Sequence, residues 1–198
     1  MTPPLVLASA SERRRELLAH FGVPFTVRPA DLDETPRPDE PAGDYVARLA
    51  REKALAVAGP GEVVIAADTT IDLDGLIVGK PLDDADARRL LRSLSGRDHL
   101  VHTGVAVALD GDVRTAVETT VVSMAGLRDA DIDWYVATGE PRGKAGAYAL
   151  QGKGSMFVTS ITGSVSNVIG LPLNVVIRLC GDQKIEVLGA SSRRFGDD

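Results

Sequence analysis

Aromatic side chains make up only 4% of the 198 residues, so the core of this chain has to rest on Val, Leu, Ile and Ala. The single cysteine, Cys180, excludes an internal disulfide and accords with a reducing compartment. It lies in the apolar run "VVIRLC" and reads as an inert core residue. No apolar run is long enough to span a bilayer and no secretory leader is recognisable. The expectation is a soluble, cytoplasmic protein without membrane contact. Cations are also short: 22 Lys and Arg stand against 28 Asp and Glu, a formal net charge of −6. This deficit argues against a nucleic-acid partner, whose phosphates are neutralised by Lys and Arg. A small phosphorylated ligand stays compatible, because a few local cations or a metal can offset its charge.

Several catalytic signatures are missing as well. There is no G-x-S-x-G elbow, no Cys/His pair and no zinc pattern. His20, His99 and His102 have no metal-ligand spacing with acids or cysteines and read as structural or surface residues. "IDLDGLIVGKP", residues 71–81, has the look of a phosphate loop but fails as one. Gly75 and Gly79 are separated by three residues where a P-loop has four, and Pro81 stands where it needs Ser or Thr. Proline supplies neither the hydroxyl nor the backbone N–H. Lys80 therefore needs another account.

What is present is an ordinary soluble balance, 44% hydrophobic and 25% charged. The length suits one domain, here residues 1–190, with 191–198 as a frayed tail. Extended and helical patterns alternate, which predicts an α/β fold. "PLVLAS" reads as a buried strand, "SERRRELLAHFG" as a helix ending at Gly22, and "PFTV" as a short strand before a Pro- and acid-rich loop. "DYVARLAREKALAVAG" reads as a helix closed by Gly59, and "EVVIAADTTIDLDGLIVG" as a hairpin turning at Gly75. Next come a helix at "DDADARRLLRSLSG", a long hairpin around Asp110-Gly111-Asp112 and a helix at "DADIDWYVATG". The Gly-rich stretch after it holds a strand at "MFVTSI", followed by a helix at "LPLNVVIRLC" and a last strand at "KIEVLG".

Five places could carry chemistry. In "LASASERRR", Ser9 and Glu12 have capping-box spacing, with Ser11 as the alternative cap. Arginines are at the wrong end of this helix for its dipole. Arg14 shares the stripe of Leu17, Leu18 and Phe21, so serine hydroxyls, helix start and inward arginine make an anion site; the alternative is a solvated basic turn. Lys53 lies on the apolar face of Val46, Leu49, Ala50 and Val57, either snorkelling to water or aimed into a cleft. Along "VVIAADTTIDL" one face runs Val64, Ala66 and then Asp68, Thr70, Asp72, turning polar at Asp68. An aspartate at the mouth of a buried strand suits a metal ligand or general base, or a loop-end cap. Asp31, Asp33 and Glu34 form an acidic cluster that, unaided, reads as a solvated loop. "GEPRGKAGAYALQGKGS" brings Arg142, Lys144, Gln151 and Lys153 together, a mixture suited to phosphate and base contacts. Cations, carboxylates and no nucleophile fit metal-assisted attack of water on a phosphate ester or anhydride.

"LASASERRRELL", "LDET", "AREKA", "AADTTIDLDGLIVGKP", "GRDHLVHTGV", "GKAGAYALQGKG" and "GSVSNVIGLPL" occur in the order seen in the Maf family. The chain resembles that family of nucleoside triphosphate pyrophosphatases from about residue 5 to 180. The resemblance implies a two-lobed α/β fold, a mixed twisted sheet flanked by helices around a central cleft, similar to inosine-triphosphate pyrophosphatases. It also implies cleavage between α- and β-phosphates, giving a nucleoside monophosphate and pyrophosphate, with a divalent cation (Mg or Mn). Asp68 matches the acid that activates water, and Ser9, Arg13 and Arg14 match the phosphate-binding turn. Glu34 matches a metal or water ligand beside Asp68, and Lys53 and Lys80 match cleft lysines that meet the phosphates. "ADT" with "AYALQG" resembles the branch acting on dTTP and UTP, with modified pyrimidine triphosphates as further substrates. Arg13, Thr69 and Gln151 match its specificity positions. Glu12 departs from a common proline, and Ala149 in "ALQG" departs from the commoner "GIQG". A 7-methyl-GTP pyrophosphatase and a nucleotide-binding regulator of cell division are the competing expectations. A homodimer is left open.

Overall fold

The computed structural model describes residues 3–187. In chain order the elements are β1 (Leu5–Leu7), α1 (Glu12–Ala19), β2 (Phe25–Val27), α2 (Ala42–Val57), β3 (Val63–Leu73) and β4 (Leu76–Val78). They continue with α3 (Asp84–Leu94), β5 (Asp98–Leu109), β6 (Asp112–Met124), α4 (Asp129–Ala137), β7 (Val158–Thr162), α5 (Val165–Ile169) and α6 (Leu173–Asp182). All seven strands join one mixed sheet in the order β2-β1-β3-β5-β6-β7, with β4 added beside β3. Among the described residues only the pairs β1–β2 and β1–β3 are parallel. The rest is antiparallel, and two tight hairpins build its pairs β3–β4 and β5–β6. Asp74-Gly75 and Asp110-Gly111 hold φ of +56°, +82°, +47° and +88°, the left-handed pairs that match the twist of the flanking strands.

Two features of this sheet position the site. β3, β5 and β6 are long enough to serve two cores in succession. The start of β3 (Val63, Ile65, Ala67) and the end of β5 (Val105, Val107) pack with Leu17, Leu18, Val176 and Leu179 of α1 and α6. The far end of β3 (Ile71, Leu73) and the start of β5 (Val101) pack instead with Leu90, Leu91, Ile132 and Tyr135 of α3 and α4. The molecule is thus two-lobed, with Asp68 to Thr70 at the seam. Moreover, β3 changes partner there. On one edge it pairs with β1 up to Leu7↔Ile65 and with β4 only from Ile71↔Val78, so residues 66–70 face an opening.

Helix α2 covers the opposite face and lies unusually near it. Its Ala50 and Ala54 meet Val64, Ala66, Ala106 and Ala108, small side chains throughout. Gly104, which pairs with Asp68 across β3–β5, completes this approach. A Cβ there would stand 2.2 Å from the Val46 carbonyl oxygen and 2.7 Å from the Ala47 nitrogen, inside rigid backbone.

The expected elements occur with a few differences. α2 starts at Ala42, two residues before Asp44, with Pro41 at the position just before it and no side-chain cap. The Gly-rich stretch also carries 3-10 turns at Ala145–Ala147 and Lys153–Phe157 and the short helix α5, which its composition concealed. "KIEVLG" is not a strand over its described residues; Ile185 and Val187 simply pack into the first core. The rest of that segment and the tail at 191–198 lie outside the described residues. Cys180 is buried, and burial pushes its thiol up to about 12, so it is inert as expected. His99 is buried too, its Nε2 2.9 Å from the Tyr148 hydroxyl.

Gly104→Ala is expected to cost at least about 2 kcal/mol, because helix backbone has to move away from the sheet. A denaturant midpoint unchanged from wild type would refute the close approach. His99 generates a pH prediction. Burial lowers its imidazole from 6.5 to about 4, against a weaker opposing pull from Asp98. Between those values the unfolded chain binds the extra proton, so this contribution is complete above pH 6.5 and declines as pH falls towards 4. The slope is up to about 1.4 kcal/mol per pH unit. Urea unfolding at stepped pH should therefore show His99→Gln losing less stability than wild type on acidification; parallel curves would exclude it.

Candidate active site

The opening beside β3 is the mouth of a cleft of about 700 Å³. Ser9, Arg13 and Arg14 line it from the β1–α1 turn and first turn of α1, and Glu34 from the loop after β2. Lys53 enters from α2, Asp68 and Thr69 from β3, Lys80 from beyond β4 and Gln151 from the Gly-rich segment. Every residue singled out by the resemblance therefore borders one space, although six separate segments supply them.

Strand alternation assigns Asp68 and Thr69 to different partners. Asp68 follows Val64 and Ala66 on the α2 face. There Lys53 Nζ reaches its Oδ1 at 2.6 Å. The same ammonium sits 2.6 Å from Glu34 Oε1, so two carboxylates converge on one buried cation. Lys53 is 6% exposed and Asp68 7%, and the choice between snorkelling and cleft is settled for the cleft. Lys80 approaches the other Glu34 oxygen at 3.7 Å and is itself largely exposed. Burial acts to raise the Glu34 carboxyl, but Lys53, then Lys80 and Arg14, outweigh it and hold it below its ordinary value.

Glu34 owes its place to its surroundings. The Tyr45 hydroxyl donates to the Glu34 carbonyl at 2.9 Å, and Arg48 donates to the next carbonyl, of Thr35, at 3.4 Å. Arg48 is fixed in turn by Glu40 at 2.6 Å, whose carboxyl the guanidinium holds down at about 2. Asp33 is not part of the cleft: its carboxylate accepts from the Thr35 amide and hydroxyl at 2.9 and 2.6 Å and shapes the loop.

On the other face of β3, Thr69 meets Arg14. Nη2 of Arg14 donates to Thr69 Oγ1 at 3.0 Å, Nε to the Gly170 carbonyl at 2.8 Å and Nη1 to Ser9 Oγ at 3.3 Å. All three acceptors are neutral. Burial lowers the Arg14 pKa, with Asp68 pulling the other way. Ser11, not Ser9, caps α1, accepting from the Arg14 amide at 3.4 Å. The helix starts at Glu12, so Ser9 lies too early for a capping box, and Glu12 pairs with Arg15 at 2.7 Å on the surface. That leaves Ser9 Oγ facing the cleft.

The Gly-rich segment divides. Lys144 and Gln151 reach the cleft, while Arg142 turns outward to Asp84 at 3.3 Å and Lys153 does not line it. Glu140 and Tyr148 also border the cleft, although no sequence periodicity marks either. Among the described residues no group of three or more His, Cys, Asp or Glu is arranged to hold a metal ion. The donor set is two converging carboxylates, Glu34 and Asp68. Mg²⁺ commonly takes one or two carboxylates together with substrate phosphates, so these residues suit an ion held jointly with a phosphorylated ligand.

Comparison with known proteins gives the chain a family. A family model described as Maf-like protein matches residues 4–183. A dTTP/UTP pyrophosphatase of Anaeromyxobacter dehalogenans (strain 2CP-C) is 59% identical over 177 residues, covering 87% of this chain and 90% of that protein. One of Myxococcus xanthus (strain DK1622) is 52% identical over 177 residues, covering 88% and 90%. Among solved structures, a HAM1 protein from Coxiella burnetii is 18% identical with a TM-score of 0.44, covering 63% of this chain and 74% of that one. The chain belongs to the Maf-like protein family.

Proposed function

We propose that this protein hydrolyses dTTP and UTP between the α- and β-phosphates, releasing the nucleoside monophosphate and pyrophosphate. The observation that carries the reading is the Lys53 ammonium 2.6 Å from both Glu34 and Asp68, at the mouth of a cation-lined cleft. Relatives named dTTP/UTP pyrophosphatase at 59% and 52% identity support the choice of nucleotide. Modified pyrimidine triphosphates are further substrates on the same reading. No helix among the described residues is long and apolar enough to cross a membrane. The nucleotide pool of the cytoplasm is the proposed setting.

In this mechanism the triphosphate lies along the cleft with its charge met by Arg13, Arg14 and Lys80. Arg14 is suited to it, since its own hydrogen bonds go to neutral oxygens and leave its charge for an anion. Asp68 accepts the proton of the attacking water. Lys53 orients that carboxylate and Glu34, and prevents two neighbouring anions from repelling each other. A divalent ion, Mg²⁺ or Mn²⁺, would be held by Glu34 and Asp68 and would supply charge neutralisation at the phosphates. Gln151, with both an amide donor and an acceptor, reads the pyrimidine edge, beside Arg13 and Thr69.

Pyrophosphate release from dTTP, UTP, CTP, GTP and 7-methyl-GTP, with Mg²⁺ or Mn²⁺, tests this directly. Wild type should favour dTTP and UTP, and Asp68→Asn should lose about 10²–10⁴-fold in kcat. Lys53→Met should fall by at least about 10²-fold, because it leaves two carboxylates facing each other without their cation. Turnover of 7-methyl-GTP alone would keep the chemistry and overturn the substrate. Tight binding without turnover of any nucleotide would favour a regulator instead.

A further inference from the structure

Glu140 lies between α4 and the Gly-rich segment and carries no part of the chemistry described above. Both of its carboxylate oxygens are nonetheless committed. Oε1 accepts from the Tyr135 hydroxyl at 2.8 Å and from the Gly154 amide at 3.0 Å, and Oε2 accepts from the Lys153 amide at 3.0 Å. Tyr135 is fully buried, and its hydroxyl accepts from the Ala149 amide at 3.1 Å. One carboxylate and one phenol therefore grip the chain on both sides of Gln151, at 149 and at 153–154. The Glu140 carbonyl also accepts from Lys144 Nζ at 2.6 Å, tying in a second cleft residue.

The turn is shaped to admit this contact. A Cβ on Gly152 would lie 2.5 Å from the Glu140 carboxylate. A Cβ on Gly154 would lie 2.7 Å from the Tyr135 hydroxyl and 2.9 Å from the Ala149 backbone. The two glycines of "QGKG" are thus where backbone has to pass close to the carboxylate and the phenol. An ionised carboxylate is a pure acceptor, which matches three donors and no cation at its oxygens. Burial tends to raise the Glu140 carboxyl, but the Gly154 and Lys153 amides and Tyr135 outweigh it and keep it ionised at neutral pH.

We propose that Glu140 is a positioning residue for base recognition: it staples the 149–154 turn to the cleft wall and thereby fixes Gln151. This rests on the pyrimidine triphosphate reading given above. Glu140 touches neither the phosphate-binding residues nor Asp68, so its loss acts on how the base is held and not on the hydrolytic step. An amide in its place keeps the size but turns an NH₂ toward a backbone N–H, breaking one side of the staple.

The test uses Glu140→Gln, Tyr135→Phe, Gln151→Ala and the double variant Glu140→Gln/Gln151→Ala in the full chain. Amide hydrogen exchange, with no nucleotide present, should show protection at Lys153 and Gly154 falling about 10-fold in Glu140→Gln. Steady-state pyrophosphate release should show KM for dTTP and UTP rising about 10-fold in both single variants of the staple, with kcat within about 3-fold of wild type. The preference for dTTP over CTP should shrink with it. In the double variant the loss of preference should match that of Gln151→Ala alone, because Glu140 acts through Gln151. Unchanged exchange, a loss confined to kcat, or additive losses in the double variant would each overturn the proposal. If Glu140→Gln does not fold, Tyr135→Phe carries the same readouts with the ring retained. Absence of dTTP and UTP turnover in wild type would refute the substrate reading instead, while the exchange measurement still decides the staple.

Discussion

A single buried ammonium organises this molecule. Lys53 holds Glu34 and Asp68 at 2.6 Å each, and removing the ammonium leaves two carboxylates facing each other beside a buried strand. The approach of α2 to the sheet is what makes the contact reachable. Alanines on both surfaces and Gly104 directly across from Asp68 allow the helix to lie close enough. A larger side chain at any of these positions would push α2 away from the sheet and draw Lys53 from its partners.

The second constraint is the partner change along β3. One strand is continuous through both lobes, yet its edge is covered by β1 on one side of the seam and by β4 on the other. An unpaired stretch of strand edge ordinarily invites pairing with another chain. Here it borders a cleft, so the polar side chains of Asp68 and Thr69 line that space while the strand stays anchored at both ends. The lobes need no separate linker because the sheet itself joins them.

Charge is distributed against the overall balance. The chain is acidic, with a net charge of −6, but Arg13, Arg14, Lys53, Lys80 and Lys144 all border the cleft. Most other arginines are spent in surface pairs such as Arg88–Asp133 and Arg92–Asp129 between α3 and α4. Arg14 differs in bonding only neutral oxygens, which keeps its charge for an incoming anion. Local placement, and not composition, decides what an acidic protein of this kind binds.

The sequence by itself determined the elements and much of the site's membership. Period-two and period-3.6 patterns placed most strands and helices, and the Asp-Gly turns placed both hairpins. The switch from Ala66 to Asp68 on one strand face, and a lysine within the apolar stripe of α2, marked two of the three central charges. Glu34 looked like a solvated acid, because its burial comes from Lys53, Lys80 and the hold of Tyr45 and Arg48, none of them its neighbours in the chain. The Gly-rich segment hid α5 and Glu140 for the same reason: without a period, only contacts made after folding distinguish a turn from a wall. The tertiary structure alone decided that Ser9 faces the cleft and not the helix cap, and that Lys53 points inward. Both choices are set by long-range packing against β3, whose energetics no local run of residues contains.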